Sequence, residues 1–173
     1  QATRAHIEAA QARIDGLAMN VNFADLLAEK AEALGDKTGV HFFQSDEKLS
    51  YRELDEKTDK LADALVKMGV RTGSHVALVT PNSSGFVLSW FAIAKIGAVM
   101  VPVNPTYTVR ELVYVLSDSD ATFLVYDPVF EAVVQAVADD SVGIEPERMI
   151  AFGPKSAAPG HVFDEVLASG QAP

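Results

Sequence analysis

No cysteine occurs anywhere in the 173 residues. Disulfide scaffolds, thiolate metal sites and cysteine nucleophiles are therefore excluded, and the composition suits a reducing cytoplasm. Positive charge is scarce as well. Fourteen lysines and arginines stand against 24 aspartates and glutamates, for a net charge of −10. Such a surface repels phosphate backbones, so neither nucleic acid nor an anionic membrane suits it as a partner. A small anionic ligand needs only a local cluster of donors and stays open. Long apolar runs are also absent. The stretch from Val87 to Val103 is interrupted by Lys95, Gly97 and Pro102 and falls short of a bilayer span. It reads as a core helix followed by a core strand, with no transmembrane segment.

Several motifs of catalysis are missing too. No Gly-x-Gly-x-x-Gly follows a strand, and no Gly-x-x-x-x-Gly-Lys-Ser/Thr occurs. Asn82-Ser83-Ser84-Gly85 lacks the Gly-x-Ser-x-Gly frame of a nucleophile elbow. His6, His41, His75 and His161 fall at no metal-ligand spacing. Asp118, Asp120, Asp139 and Asp140 read as solvated loop charges.

What is present is a hydrophobic fraction of 49% over a length that suffices for one domain with a sizeable core. In residues 1–19, Ile7, Ala10, Ile14 and Leu17 recur at helical spacing, which predicts a lead-in helix packed on the main body. Its polar face carries few cations, which disfavours the alternative of a membrane-surface helix. Asn22 caps a second helix from Phe23 to about Leu34, with Phe23, Leu26, Leu27 and Ala31 as its apolar stripe and Gly35 as its stop. Residues 39–50 predict a short β-hairpin around Ser45-Asp46-Glu47. Ser50-Tyr51-Arg52-Glu53 is a capping box, opening a helix with Leu54, Thr58, Leu61, Leu65 and Met68 on one face and Gly69 at its end.

A strand–helix rhythm follows. Strands are expected at Val76–Val79, Ala98–Val103, Thr122–Tyr126 and Met149–Phe152. Helices are expected at Ser83–Ile96, at Val109–Leu116 behind a second capping box (Thr108 with Glu111), from Asp127-Pro128 to about Val137, and at Phe163–Ala168. The strands show no polar alternation, which predicts burial on both faces. The expected class is α/β: a mostly parallel β-sheet with flanking helices and right-handed crossovers, preceded by two helices and a short β-hairpin. The expected organisation is a lead-in helix over 1–20, an α/β subdomain over 21–168 and a truncated linker over 169–173.

Ligands of an open parallel sheet bind at the carboxyl ends of its strands. Here those ends are Thr80 to Gly85, Asn104 to Thr108, and Asp127-Pro128, and each leads into a helix N-terminus. Asn82, Ser83, Thr108 and Asp127 are also ordinary helix caps. Lys95, inside an apolar helix, has two readings: neutralising a bound anion, or laying its stem on the core with the amine in water. Trp90 and Phe91 beside it read as core, or as the wall of an acyl pocket.

An ordered series of short segments carries more. Ser50-Tyr51-Arg52-Glu53-Leu54, Gly73 with Val76-Ala77-Leu78, Pro81-Asn82-Ser83, Ala92 through Gly97-Ala98-Val99, Val101-Pro102-Val103-Asn104-Pro105, Thr108-Val109-Arg110-Glu111-Leu112, and Ser117 to Ala121 before Phe123-Leu124-Val125 stand in sequence. Together, across about Phe23 to Ala168, they resemble the N-terminal part of the adenylate-forming acyl-CoA synthetases. Asn104 to Thr108 is more similar to the fatty-acyl and aryl CoA ligases than to peptide-synthetase domains.

The resemblance implies a parent enzyme that joins a carboxylic acid to CoA through an acyl-adenylate, using ATP and Mg²⁺ and releasing AMP and pyrophosphate. It also implies that Asn104, Thr106 and Tyr107 form a turn on the CoA side, with Arg110 the nearest cation in sequence. The family's Thr-Ser-Gly-Thr-Thr-Gly-x-Pro-Lys phosphate loop, ribose-binding Asp motif, hinge and lid lysine do not occur in this sequence. The expectation is therefore no catalytic residue and no metal site here, no tight cofactor binding and no turnover by the chain alone. Its expected partners are the remainder of a parent chain and possible homodimer contacts through uncovered apolar surface. The expected location is cytoplasmic. The alternative reading is a stand-alone α/β regulatory or assembly module.

Overall fold

The computed structural model describes residues 22–153 and 159–172. The lead-in helix expected over 1–20 lies outside the described residues. Helix α1 (Phe23–Leu34) is opened by Asn22, whose side chain accepts the Ala24 N–H at 3.0 Å, while Asp25 accepts the Asn22 N–H at 3.0 Å. Strands β1 (Thr38–Phe42) and β2 (Glu47–Ser50) form the expected antiparallel hairpin. In α2 (Tyr51–Met68) the capping box is complete: Ser50 N–H donates to Glu53 at 2.8 Å, and Glu53 N–H donates to the Ser50 hydroxyl at 3.2 Å. Leu54, Thr58, Leu61 and Leu65 form its buried face, and Gly69, at φ +108°, ends it in a conformation other residues resist.

Among the described residues the remaining strands form a five-stranded, wholly parallel sheet. Its strands are β3 (His75–Val79), β4 (Val99–Pro102), β5 (Ala121–Tyr126), β6 (Met149–Ala151) and β7 (His161–Val162), in spatial order β4-β3-β5-β6-β7. The crossovers are α3 (Ser84–Ile96), α4 (Val109–Asp118) and α5 (Glu131–Val137), followed by two single-turn 3₁₀ helices at Asp140–Val142 and Pro146–Arg148. Helix α6 (Phe163–Ser169) follows β7.

Two cores sandwich the sheet. Val76 and Leu78 of β3 join Leu61, Leu88, Ile93 and Phe163 on the side of α1, α2, α3 and α6. Ala77 and Val79 join Leu112, Leu116, Tyr126 and Val133 on the side of α4 and α5. The strand's period of two is therefore real but hidden, because both of its faces are apolar.

Several expectations change. β4 is not buried on both faces: it is the sheet edge, and Val99 is 43% exposed. Pro102, which has no N–H to offer a further strand, suits that edge position. Asp127-Pro128 does not open α5, which begins at Glu131. Asp127 instead accepts the Val129 N–H at 3.0 Å in a preceding turn. The buried stripe of α1 is Ala24, Leu27 and Ala31, whereas Phe23 and Leu26 are 39% and 48% exposed. Lys95 is paired within the fold. Its ammonium lies 2.7 Å from Asp55 and 2.5 Å from Asp59, with its side chain 15% exposed, and so joins α3 to α2. Past α6, the Gln171 N–H donates to Asp63 on α2 at 2.8 Å, so residues 170–171 of the expected linker lie against the body.

Removing the Lys95 charge leaves two adjacent carboxylates half-desolvated, whereas Lys67–Asp63 is a solvated i,i+4 pair. Lys95→Met is expected to destabilise the fold by about 2–3 kcal/mol in urea unfolding. Lys67→Met is expected to cost no more than about 0.5 kcal/mol. Equal costs would contradict the assignment.

Candidate functional site

The chain moves from β3 to β4 on one side and then crosses to β5 on the other. Helices α3 and α4 consequently lie on opposite faces, and the connections after β3 and β5 part company. This is a topological switch point, where an open α/β sheet has a crevice outside its strand ends. The turns that leave the sheet on either side of it are Thr80 to Ser83 and Asp127 to Phe130.

Backbone bonds hold this edge level. Val103 N–H donates to Leu78 O at 3.0 Å, Asp127 N–H to Val79 O at 3.0 Å, and Phe152 N–H to Tyr126 O at 3.0 Å. Ser83 accepts the Phe86 N–H at 3.2 Å and fixes the start of α3. A Cβ on Gly85 would sit 2.1 Å from Phe152 Cε1, so any larger residue there requires that ring to move. Phe152 in turn packs on Phe163, with ring centroids 4.4 Å apart. Thus α6 is tied through Phe152 to the turn after β3. The Tyr126 hydroxyl, at the end of β5, donates to Pro159 O at 2.6 Å, and burial pushes its pKa up to about 12.

The turn expected to face CoA stands at the same edge, at the end of β4 and one strand away from the crevice. The Asn104 side chain accepts the Thr106 N–H at 3.0 Å and the Thr106 hydroxyl at 2.9 Å, and Tyr107 N–H donates to Asn104 O at 3.2 Å. Asn104 and Thr106 therefore shape the turn. Tyr107 enters an open cleft of about 600 Å³ with Arg110, Glu111 and Tyr114. The structure so joins Tyr107 to Arg110 and adds Tyr114, which the sequence reading did not single out. Its i+4 spacing from Arg110 was the available signal. Glu111 is committed to the cap: it accepts the Thr108 N–H and hydroxyl, each at 2.8 Å. Those bonds, the backbone one first, hold its carboxyl below the usual range.

Among the described residues no three His, Asp or Glu side chains are grouped to hold a metal ion. Nor is any helix there long and apolar enough to cross a membrane. His41 is bonded to Asp46 at 2.7 Å on the hairpin, and His75 contacts Ser119 O at 2.8 Å. Neither is paired with a hydroxyl nucleophile.

Two outcomes follow from this geometry. Gly85→Ala must displace the Phe152 ring and is expected to lower the thermal midpoint by several degrees. An unchanged midpoint would show that the contact yields freely. Glu53 and Glu111 are both held below the ordinary value of 4.5 by capping bonds. A depressed folded-state pKa gives stability that is present above the unfolded value and lost as pH falls through the folded one. Urea midpoints should therefore hold steady above about pH 5 and fall below it, more shallowly in a Glu53→Gln/Glu111→Gln variant.

Comparison with known proteins agrees with this architecture. The AMP-binding enzyme family matches residues 27–162. The crotonobetaine/carnitine–CoA ligase of Salmonella typhimurium is 32% identical over 124 residues, covering 69% of this chain and 24% of that protein. Among solved structures, a long-chain-fatty-acid–CoA ligase from Archaeoglobus fulgidus superimposes with a TM-score of 0.75 at 31% identity, over 87% of this chain and 30% of that one. A benzoate CoA ligase from Burkholderia xenovorans shares the fold, with a TM-score of 0.74 at 24% identity over 88% of this chain and 29% of that one. The chain thus spans about a quarter of the length of the curated relatives it matches. With the family matched across most of its length and the parallel sheet in place, this chain belongs to the AMP-binding enzyme family.

Proposed function

We propose that this chain is the N-terminal scaffold of an ATP-dependent, AMP-forming acyl-CoA synthetase acting on a fatty or aryl acid. The observation that carries the reading is the family match over residues 27–162, supported by the aligned strand ends of β3, β4 and β5. A carboxylate is a poor electrophile. Joining it to AMP supplies a leaving group that a thiolate can displace, and the negative charge that develops on phosphate has to be met by preorganised donors. The described residues hold no carboxylate cluster for Mg²⁺, and the sequence has no phosphate loop. On this reading that chemistry belongs to the remainder of the parent chain, this chain alone does not turn over, and the parent is a cytoplasmic enzyme.

What these residues do is bind and orient. The Asn104–Thr106 turn sets Tyr107 beside Arg110 and Tyr114. Two aromatic faces and one guanidinium suit the nucleotide end of CoA, by stacking and by a charge-assisted phosphate contact. A single cation opposed by Glu111 suits only part of its phosphate charge.

Pyrophosphate release over a panel of carboxylic acids tests the reading. The chain alone should release none, and the parent should turn over at least one acid. A parent inert towards every acid would remove the ligase assignment and favour the stand-alone module. In an active parent, Tyr107→Ala and Arg110→Ala should raise the KM for CoA roughly tenfold and leave acid-dependent adenylate formation unchanged. An unchanged CoA KM would move CoA away from this turn.

A further inference from the structure

On the far side of α3 from the sheet, α1, the hairpin and the start of α2 enclose a second groove of about 370 Å³. Its walls include Phe23, Leu26, Val40, Tyr51 and Phe91, and among the described residues the single charged side chain lining it is that of Lys30. Val87 and Phe91 face this groove, while Gly85, Ser89 and Ala92 of the same helix are buried. The groove is thus separate from the strand-end crevice and from the cleft of Tyr107.

Three properties define what it can hold. The walls are almost entirely apolar, so an apolar group gains by leaving water there. Its rim is open, with Phe23 39% and Leu26 48% exposed, so an apolar molecule can enter without unfolding the site. Lys30 forms no ion pair with any described residue, in a chain whose net charge is −10. An unpaired ammonium at the rim of an apolar groove matches a molecule with an apolar tail and one anionic head. From this we propose that the groove binds an amphiphilic carboxylate, its alkyl chain along Phe23, Val40 and Phe91 and its carboxylate on Lys30. The proposal does not depend on the ligase reading, since none of these residues belongs to the edge that reading uses.

Trp90 supplies the readout. It is the chain's one tryptophan, and its ring lies 5.6 Å from that of Phe23 and 6.4 Å from that of Phe91. Titration of the 173-residue chain with decanoate below its micelle concentration should change Trp90 emission saturably. Octanoate should bind roughly tenfold more weakly, the effect of two methylenes. Lys30→Gln should weaken decanoate roughly three- to fivefold and leave uncharged decanol unaffected. Leu26→Glu, at an exposed position that the fold tolerates, should abolish the signal with an unchanged thermal midpoint. The proposal is overturned if no saturable change occurs, as it would be if another part of the protein or a second copy filled the groove. It is equally overturned if decyltrimethylammonium binds as well as decanoate, or if Lys30→Gln and Leu26→Glu both leave binding intact.

Discussion

Everything in this domain takes its position from β3. Val76 to Val79 are fully buried, paired with β4 on one side and β5 on the other, and packed between two cores. A strand so enclosed has no freedom of register, because a slip of one residue would exchange its two faces and misplace both neighbours. The consequence at the carboxyl ends of the strands is direct. The Leu78 carbonyl receives Val103 and the Val79 carbonyl receives Asp127, so the turns after β4 and β5 start from fixed points on β3. The turns after β4 and β5 are therefore placed by the core rather than by their own loops.

The second constraint holds the helical layers together. Asp55 and Asp59 lie one turn apart on α2 and share the ammonium of Lys95 on α3. Desolvation offsets much of the attraction in such a cluster, so its main effect is on specificity. Two like charges facing an apolar helix would be intolerable without the cation, which fixes how α2 slides along α3. The outer groove depends on the same arrangement, since Tyr51 and Leu54 of α2 and Val87 and Phe91 of α3 form its floor and wall. Charge pairing between these helices thus shapes a surface that contains none of the paired residues.

Local chemistry was legible from the sequence and distant contacts were not. Ser50 with Glu53 and Thr108 with Glu111 announce helix starts within four residues, and both boxes form as read. Strand positions follow from composition, but which strand lies at the edge depends on crossover order, and so β4 was read as buried. Asp127-Pro128 has the composition of a helix start, yet the backbone spends it on a turn. The partners of Lys95 are 36 and 40 positions away, and no periodicity links them. The same holds for Phe152 over Gly85 and for Tyr126 on Pro159. At the candidate site the sequence marks Asn104 to Tyr107 as a turn after a strand, but the bonds between Asn104 and Thr106 and the nearness of Tyr114 required the fold.

On the proposed reading this chain binds and orients rather than transforms, and its contribution rests on the rigidity of its strand ends. Native-state amide hydrogen exchange tests that claim most directly. The amides of Val76 to Val79 should exchange only through global unfolding, with an opening free energy equal to that from urea denaturation, while β4 and the hairpin open at lower cost. Exchange of β3 amides through cheaper local opening, at or below the level of β4, would contradict the central place given to this strand.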